Sequence, residues 1–313
     1  MGYLRQFTVV LGVLSCGIAI GRAEEPKETA APKAEPGLSR FLRLVRDKEG
    51  TPEKLETAVV SYRAAEGEVQ VDLVSAVHIG EASYYEELNE LFKQYDVVLY
   101  ELVAPKGTRV PRGGGNSDNP LSLLQGLATE ALDLSSQTAK INYQAENFVH
   151  ADMSPDEIAE TLRKRGDDAL TMTLRVAADL LQQQNLQARR AEKEGKPSEE
   201  VIDPLALLFD PEAPQTMKRA FAEQFASGAG PEAFGPTLQG LLITDRNAAA
   251  LKELGRQLAG GKKKIAIFYG AAHMADFEER LGEDYGLTRR DVRWITAWDL
   301  LKKPSRAGGL FGG

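Results

Sequence analysis

Hydrophobic and polar positions follow distinct patterns along this chain, and each predicts a different element. Residues 55–63 and 68–77 are rich in β-branched side chains and are separated by a short Gly-containing stretch, which predicts a hairpin. Tyr84, Leu88, Leu91 and Phe92 then fall at i, i+4, i+7 and i+8, one face of an amphipathic helix over about 81–94. Residues 96–102 form a short apolar run of the kind buried on both faces of a sheet. Strand, helix and strand in that order predict a βαβ unit with parallel strands.

Residues 104–119 read as loop, because Pro105, Pro111, the Gly113-Gly114-Gly115 triplet and Pro120 break regular structure. No Lys-Ser or Lys-Thr pair follows the triplet, so it carries no phosphate-loop pattern. From 121 to 260 the spacing is mostly helical, with a strand-like exception at 147–151. Ser154-Pro155-Asp156-Glu157 marks a helix start, with Ser as N-cap and Glu closing a capping box. Leu170, Leu174, Ala177 and Leu181 continue a helical face, and 182–200 is a polar, exposed extension. Leu251, Leu254 and Leu258 mark another helix, closed by Gly260-Gly261. A buried strand over 264–269, a helix over 274–281 and a last strand over 292–298 follow.

The fold class expected is α/β, a mixed and mostly parallel central sheet with strands before 103 and after 263. A large helical insertion, about 121–260, lies between these sheet-forming segments. The folded domain covers 38–303, and 304–313 reads as a flexible tail.

Composition narrows the function classes. Among 313 residues, 38 Lys+Arg against 46 Asp+Glu give a net charge of −8, which argues against a nucleic-acid backbone binder. The first 23 residues read as an export signal: Arg5, an apolar run over 7–20, and the small residue Ala23 at its end. Residues 24–37, polar and rich in Pro, Ala and Glu, read as a disordered linker. Cleavage after Ala23 removes Arg5 and Arg22 and no acidic residue, leaving −10 on a periplasmic or secreted protein with no transmembrane domain. The single Cys lies in this segment, and Val13-Leu14-Ser15-Cys16-Gly17 also reads as a lipobox, the alternative being a membrane-tethered lipoprotein anchored at Cys16. Without that Cys, the chemistry rests on oxygen and imidazole groups.

Those groups are few. The three His residues, His78, His150 and His273, all fall at strand ends, and Glu101 closes the run Val97-Val98-Leu99-Tyr100. In an open α/β sheet the crevice beyond the carboxyl ends of the strands is where ligands bind, so these side chains are expected to converge there. His78, His273 and Glu101 are the expected ligands of a divalent metal, with Mn, Zn, Co and Fe all permitted. The same groups suit metal-free general-base work. Tyr100 is expected on the opposite face of its strand from Glu101.

The stretches Ser75-Ala76-Val77-His78, Asp96-Val97-Val98-Leu99-Tyr100-Glu101, Asp245-Arg246-Asn247 and Gly270-Ala271-Ala272-His273-Met274 together resemble the TraB/TIKI family. That family sits in the wider assembly of erythromycin esterases and ChaN-like haem-binding lipoproteins. The resemblance covers about 40–300 in order, the middle block matching only in being helical. The second Gly-x-x-His motif is intact at Gly270–His273, whereas the first has Ser75 where Gly is usual. The resemblance implies an EreA/ChaN-like α/β fold with a site built from His78, Glu101, Arg246 and His273. His150 is not part of the family pattern and is expected as a third ligand or a general acid/base.

The first expectation is an exported, metal-dependent, peptidase-like hydrolase acting on a peptide or small molecule, with Glu101, Arg246 and His150 as catalytic groups. A metal-free esterase with a His base is the second, and a non-catalytic haem or iron binder the third.

Overall fold

A computed structural model describes residues 40–108, 110–111, 134–166, 213–226 and 240–302, with isolated positions 132 and 182. The export segment, Cys16, the linker, the Gly113-Gly114-Gly115 loop, the helical face at Leu170–Leu181 and the tail from 304 lie outside the described residues. Among the described residues, no helix is long and apolar enough to cross a membrane.

The elements in chain order are β1 (Leu42–Arg46), β2 (Pro52–Arg63), β3 (Gln70–Ala76), β4 (Ile79–Gly80), α1 (Ala82–Phe92), β5 (Val97–Tyr100), β6 (Ser135–Ser136), the single turn α2 (Gln137–Lys140), β7 (Phe148–His150), α3 (Pro155–Lys164) and α4 (Ala213–Ala226). They continue with a π-helical turn at Gly240–Thr244, α5 (Asp245–Ala259), β8 (Lys264–Gly270), a 3-10 turn at Ala271–His273, α6 (Met274–Tyr285) and β9 (Thr288–Asp299).

The main sheet has seven strands. Strands β3, β8, β5 and β7 are parallel neighbours, and β2 runs antiparallel to β1, β3 and β9. Every strand of this sheet except β2 therefore points the same way, which makes it mixed and mostly parallel. Since β9 follows one edge of β2 along most of its length, β1 and β3 pair with successive halves of the other edge.

The expected hairpin is β2–β3, and the expected βαβ unit is β3–α1–β5. Its two strands are parallel but not adjacent: β8, from far along the chain, lies between them. The strand-like run at 147–151 becomes β7 and extends the main sheet beside β5, so the segment between the two sheet-forming regions is not solely helical. The helix at its end, α5, packs on the sheet. The patterning around Leu42–Arg46 gave no expectation of a strand; β1 forms by pairing with β2, a long-range contact.

Two apolar layers cover the sheet. One face meets α1 through Tyr84, Tyr85, Leu88, Leu91 and Phe92, packed on Val74, Val98, Tyr100, Phe268 and Trp298. The other meets α5 and α6 through Ala250, Leu251, Leu254, Met274, Phe277 and Leu281, packed on Leu73, Leu99, Ile265, Ile267 and Tyr269. This explains why β5 and β8 are continuously apolar: successive side chains enter different layers, and both layers are dry.

The Ser154 helix start folds as its sequence predicts. The Ser154 hydroxyl accepts from the Glu157 N–H, and the Glu157 carboxylate accepts from the Ser154 N–H.

Candidate functional site at the carboxyl edge of the sheet

Strand β5 ends at Tyr100, and side-chain alternation sends the next residue, Glu101, toward the α5/α6 face that Leu99 also serves. Beside it, β8 ends at Gly270, whose N–H donates to Glu101 Oε2 at 2.7 Å. A Cβ at Gly270 would stand 3.4 Å from that oxygen, so a small residue here lets the carboxylate lie against the strand end. The chain then makes its 3-10 turn, which carries His273 back over the same edge. Its ring packs edge-on against Tyr269 at 5.1 Å and is only 4% exposed.

Helix α5 starts at this edge and contributes two residues from its first turn. Arg246 donates through Nε and Nη2 to the two oxygens of Asp152, at 3.0 and 2.6 Å, and through Nη2 to Glu101 Oε1 at 2.7 Å. Asn247 is fully buried, with Oδ1 2.6 Å from His273 Nδ1. Its Nδ2 donates to the His273 carbonyl at 3.0 Å and to Asp276 Oδ2 at 2.7 Å. The remaining ring nitrogen, His273 Nε2, faces Glu101 Oε1 at 3.5 Å.

Electrostatics follow from burial and pairing. Burial alone would raise the Glu101 pKa, but the His273 ring, the Arg246 guanidinium and His78 outweigh it and hold the carboxyl far below the usual carboxylate range. Burial alone would lower the Arg246 pKa, and its bonds to Asp152 and Glu101 raise it instead. Burial pushes the Tyr143 and Tyr269 phenols up, with the nearby Glu101 charge adding to this. Two carboxylates share one guanidinium, an excess of acidic over basic side chains.

Of the residues expected from the sequence, Glu101, Arg246 and His273 meet in direct contact. His78 lies two residues beyond β3 and is exposed; its carbonyl accepts from the Gln137 N–H at 2.8 Å, and the side chain is near enough to help hold the Glu101 carboxyl down. It stands at the same edge, on the solvent side.

His150 does not join them. It pairs in register with Tyr100, one residue before Glu101, and so shares the face of Tyr100 rather than that of Glu101. Its ring lies 5.7 Å from the Tyr100 ring, and its Nε2 is 2.6 Å from the Leu102 carbonyl.

Among the described residues, no three His, Cys, Asp or Glu side chains come close enough together to hold a metal ion. Both Glu101 oxygens already have donors within 2.7 Å.

Sequence reasoning missed two members of the cluster. Asp152 has a fully buried side chain and is the principal partner of Arg246, yet in sequence it looks like one more loop carboxylate after a strand. Asn247 was visible only as a neighbour of Arg246. Ser75 is fully buried in β3, and its hydroxyl has no hydrogen-bond partner among the described residues.

Fold and site together define an α/β protein with a buried Glu–Arg–His cluster at the carboxyl edge of a mostly parallel sheet. Comparison of the chain with protein-family models, with curated proteins and with solved structures finds no match.

Proposed function

We propose that this chain is an exported hydrolase of the TraB/TIKI kind, with the Glu101–His273–Arg246 cluster as its active site. The observation that carries the reading is the approach of His273 Nε2 to Glu101 Oε1, 3.5 Å apart at the sheet edge where α/β proteins bind ligands. A water donating to both is polarised for attack on an ester or amide carbonyl. His273 Nε2 takes its proton, and the imidazolium formed is stabilised by the adjacent Glu101 carboxylate. Arg246 is the positioning residue that keeps Glu101 ionised and aimed, and His78, exposed at the edge, is placed to contact substrate. His150 has no part in this chemistry, because its Nε2 is already engaged on the other face.

A second reading has His78, Glu101 and His273 closing on a divalent ion. It draws on the cluster's excess of acidic over basic side chains, which a cation would offset.

One assay separates the two. Purified protein, stripped with chelator, is tested against activated esters and short peptides, then again after adding Mn, Zn, Co or Fe ions. Hydrolysis that survives the chelator and is lost in His273→Ala supports the metal-free version. Hydrolysis that returns only with metal supports the second. Absence of hydrolysis under both conditions, with a folded protein, overturns the hydrolase reading.

A further inference from the structure

Asn247 is fully buried where α5 meets the start of α6, and its bonding is fully determined. Its nitrogen faces two groups that can only accept, the His273 carbonyl at 3.0 Å and the Asp276 carboxylate at 2.7 Å. That orients the amide without ambiguity: the nitrogen donates both hydrogens, and Oδ1 is left as an acceptor. Oδ1 lies 2.6 Å from His273 Nδ1, so this ring nitrogen must carry hydrogen and donate. The Asp276 oxygens are held in turn by Arg280, whose Nε and Nη2 each lie 3.1 Å from one of them.

We propose that Asn247 is a positioning residue that keeps a proton on His273 Nδ1 and so holds the ring with Nε2 turned toward Glu101. Without the lock, the neighbouring carboxylate would draw the proton to Nε2, where it blocks base action. Buried Asn, not Asp, suits the position: a second carboxylate would repel Asp276 and favour the doubly protonated ring. The inference deepens the function proposed above, and rests on it only where hydrolysis is the readout.

The test is a ring ¹⁵N–¹H correlation spectrum of histidine-labelled full-length protein, at a pH well above the ordinary histidine range. With three His in the chain, the His273 signals are assigned by comparison with His78→Ala and His150→Gln. The expected wild-type spectrum shows His273 as the Nδ1–H form. Asn247→Leu moves it to the Nε2–H form and lowers hydrolysis about 10²-fold. A wild-type ring without a proton on Nδ1 overturns the lock without any variant, as does an unchanged ring protonation in a folded Asn247→Leu protein. Tautomers that switch as expected while hydrolysis does not follow support the lock and overturn the role of His273 as base.

Discussion

The two faces of the sheet meet the same carboxyl edge with similar residues and put them to different use. On the α1 face, Tyr100 and His150 stand side by side at matching register, with Tyr143 5.1 Å from the Tyr100 ring and Phe148 5.8 Å away. There the imidazole is one polar atom in an aromatic cluster, tied to a backbone carbonyl. On the α5/α6 face, one residue further along, Glu101 and His273 sit in a charged network running from Asp152 through Arg246 to Asn247 and Asp276. A histidine becomes chemically useful when one nitrogen is fixed and the other faces a charge; strand-end position alone does not confer this.

The sharpest way to break the contrast is to remove the guanidinium. Arg246→Met leaves Glu101 and Asp152 buried without a cation, and unfolding in urea should show a loss of about 3–5 kcal/mol. On the other face, Tyr143→Phe removes one hydrogen bond, the one donated by Gln137 Nε2, and should cost about 1 kcal/mol. Equal losses would mean that Arg246 is not the electrostatic centre.

Next in size is the histidine exchange. His273→Ala should lower the hydrolysis proposed above by about 10²–10⁴-fold, whereas His150→Gln should stay within a few-fold of wild type, both read as kcat/KM. The reverse order would move the active site to the α1 face.

Acid stability sharpens the comparison further. The folded Glu101 pKa lies below its unfolded value of 4.5, so ionisation of Glu101 stabilises the fold fully above that pH, and the stabilisation declines as pH falls toward the folded value. The gap in Tm between wild type and Glu101→Gln should therefore be widest near neutrality and shrink on acidification below about pH 4.5. A gap that stays constant with pH would show that Glu101 is not ionised in the fold.

The smallest effects are expected at Gly270. An alanine brings one methyl to ordinary contact, 3.4 Å from Glu101 Oε2, and should change Tm by only a few degrees. Valine adds branches that push the carboxylate off the strand end, and should cut hydrolysis more than it cuts stability. Loss of stability without loss of rate would make the glycine a packing residue.

Much of this fold was legible in the residues. Runs of β-branched residues placed β2 and β3, continuously apolar runs placed β5 and β8, period-3.6 spacing placed α1 and α5, and Ser154 with Glu157 marked the start of α3 by local hydrogen bonding alone. Strand β1 was not legible, because its five residues acquire strand geometry only by pairing with β2. Nor was the insertion of β8 between β3 and β5, since nothing local records which distant strand fills a gap. In the site, Glu101, Arg246 and His273 were visible from their motifs, while Asp152 and Asn247 gain their meaning from partners 94 and 26 residues away in sequence.

The sequence by itself determined most of the elements, the shortage of chemical groups and the placement of all three histidines at or just beyond strand ends, because propensity, periodicity and capping act over a few residues. Only the tertiary structure decided which of those histidines meets Glu101. Alternation along β5 and β7 sends residues 100 and 150 to one face and residue 101 to the other, and the long-range packing of α5 and β8 brings Arg246, Asn247 and His273 to that second face.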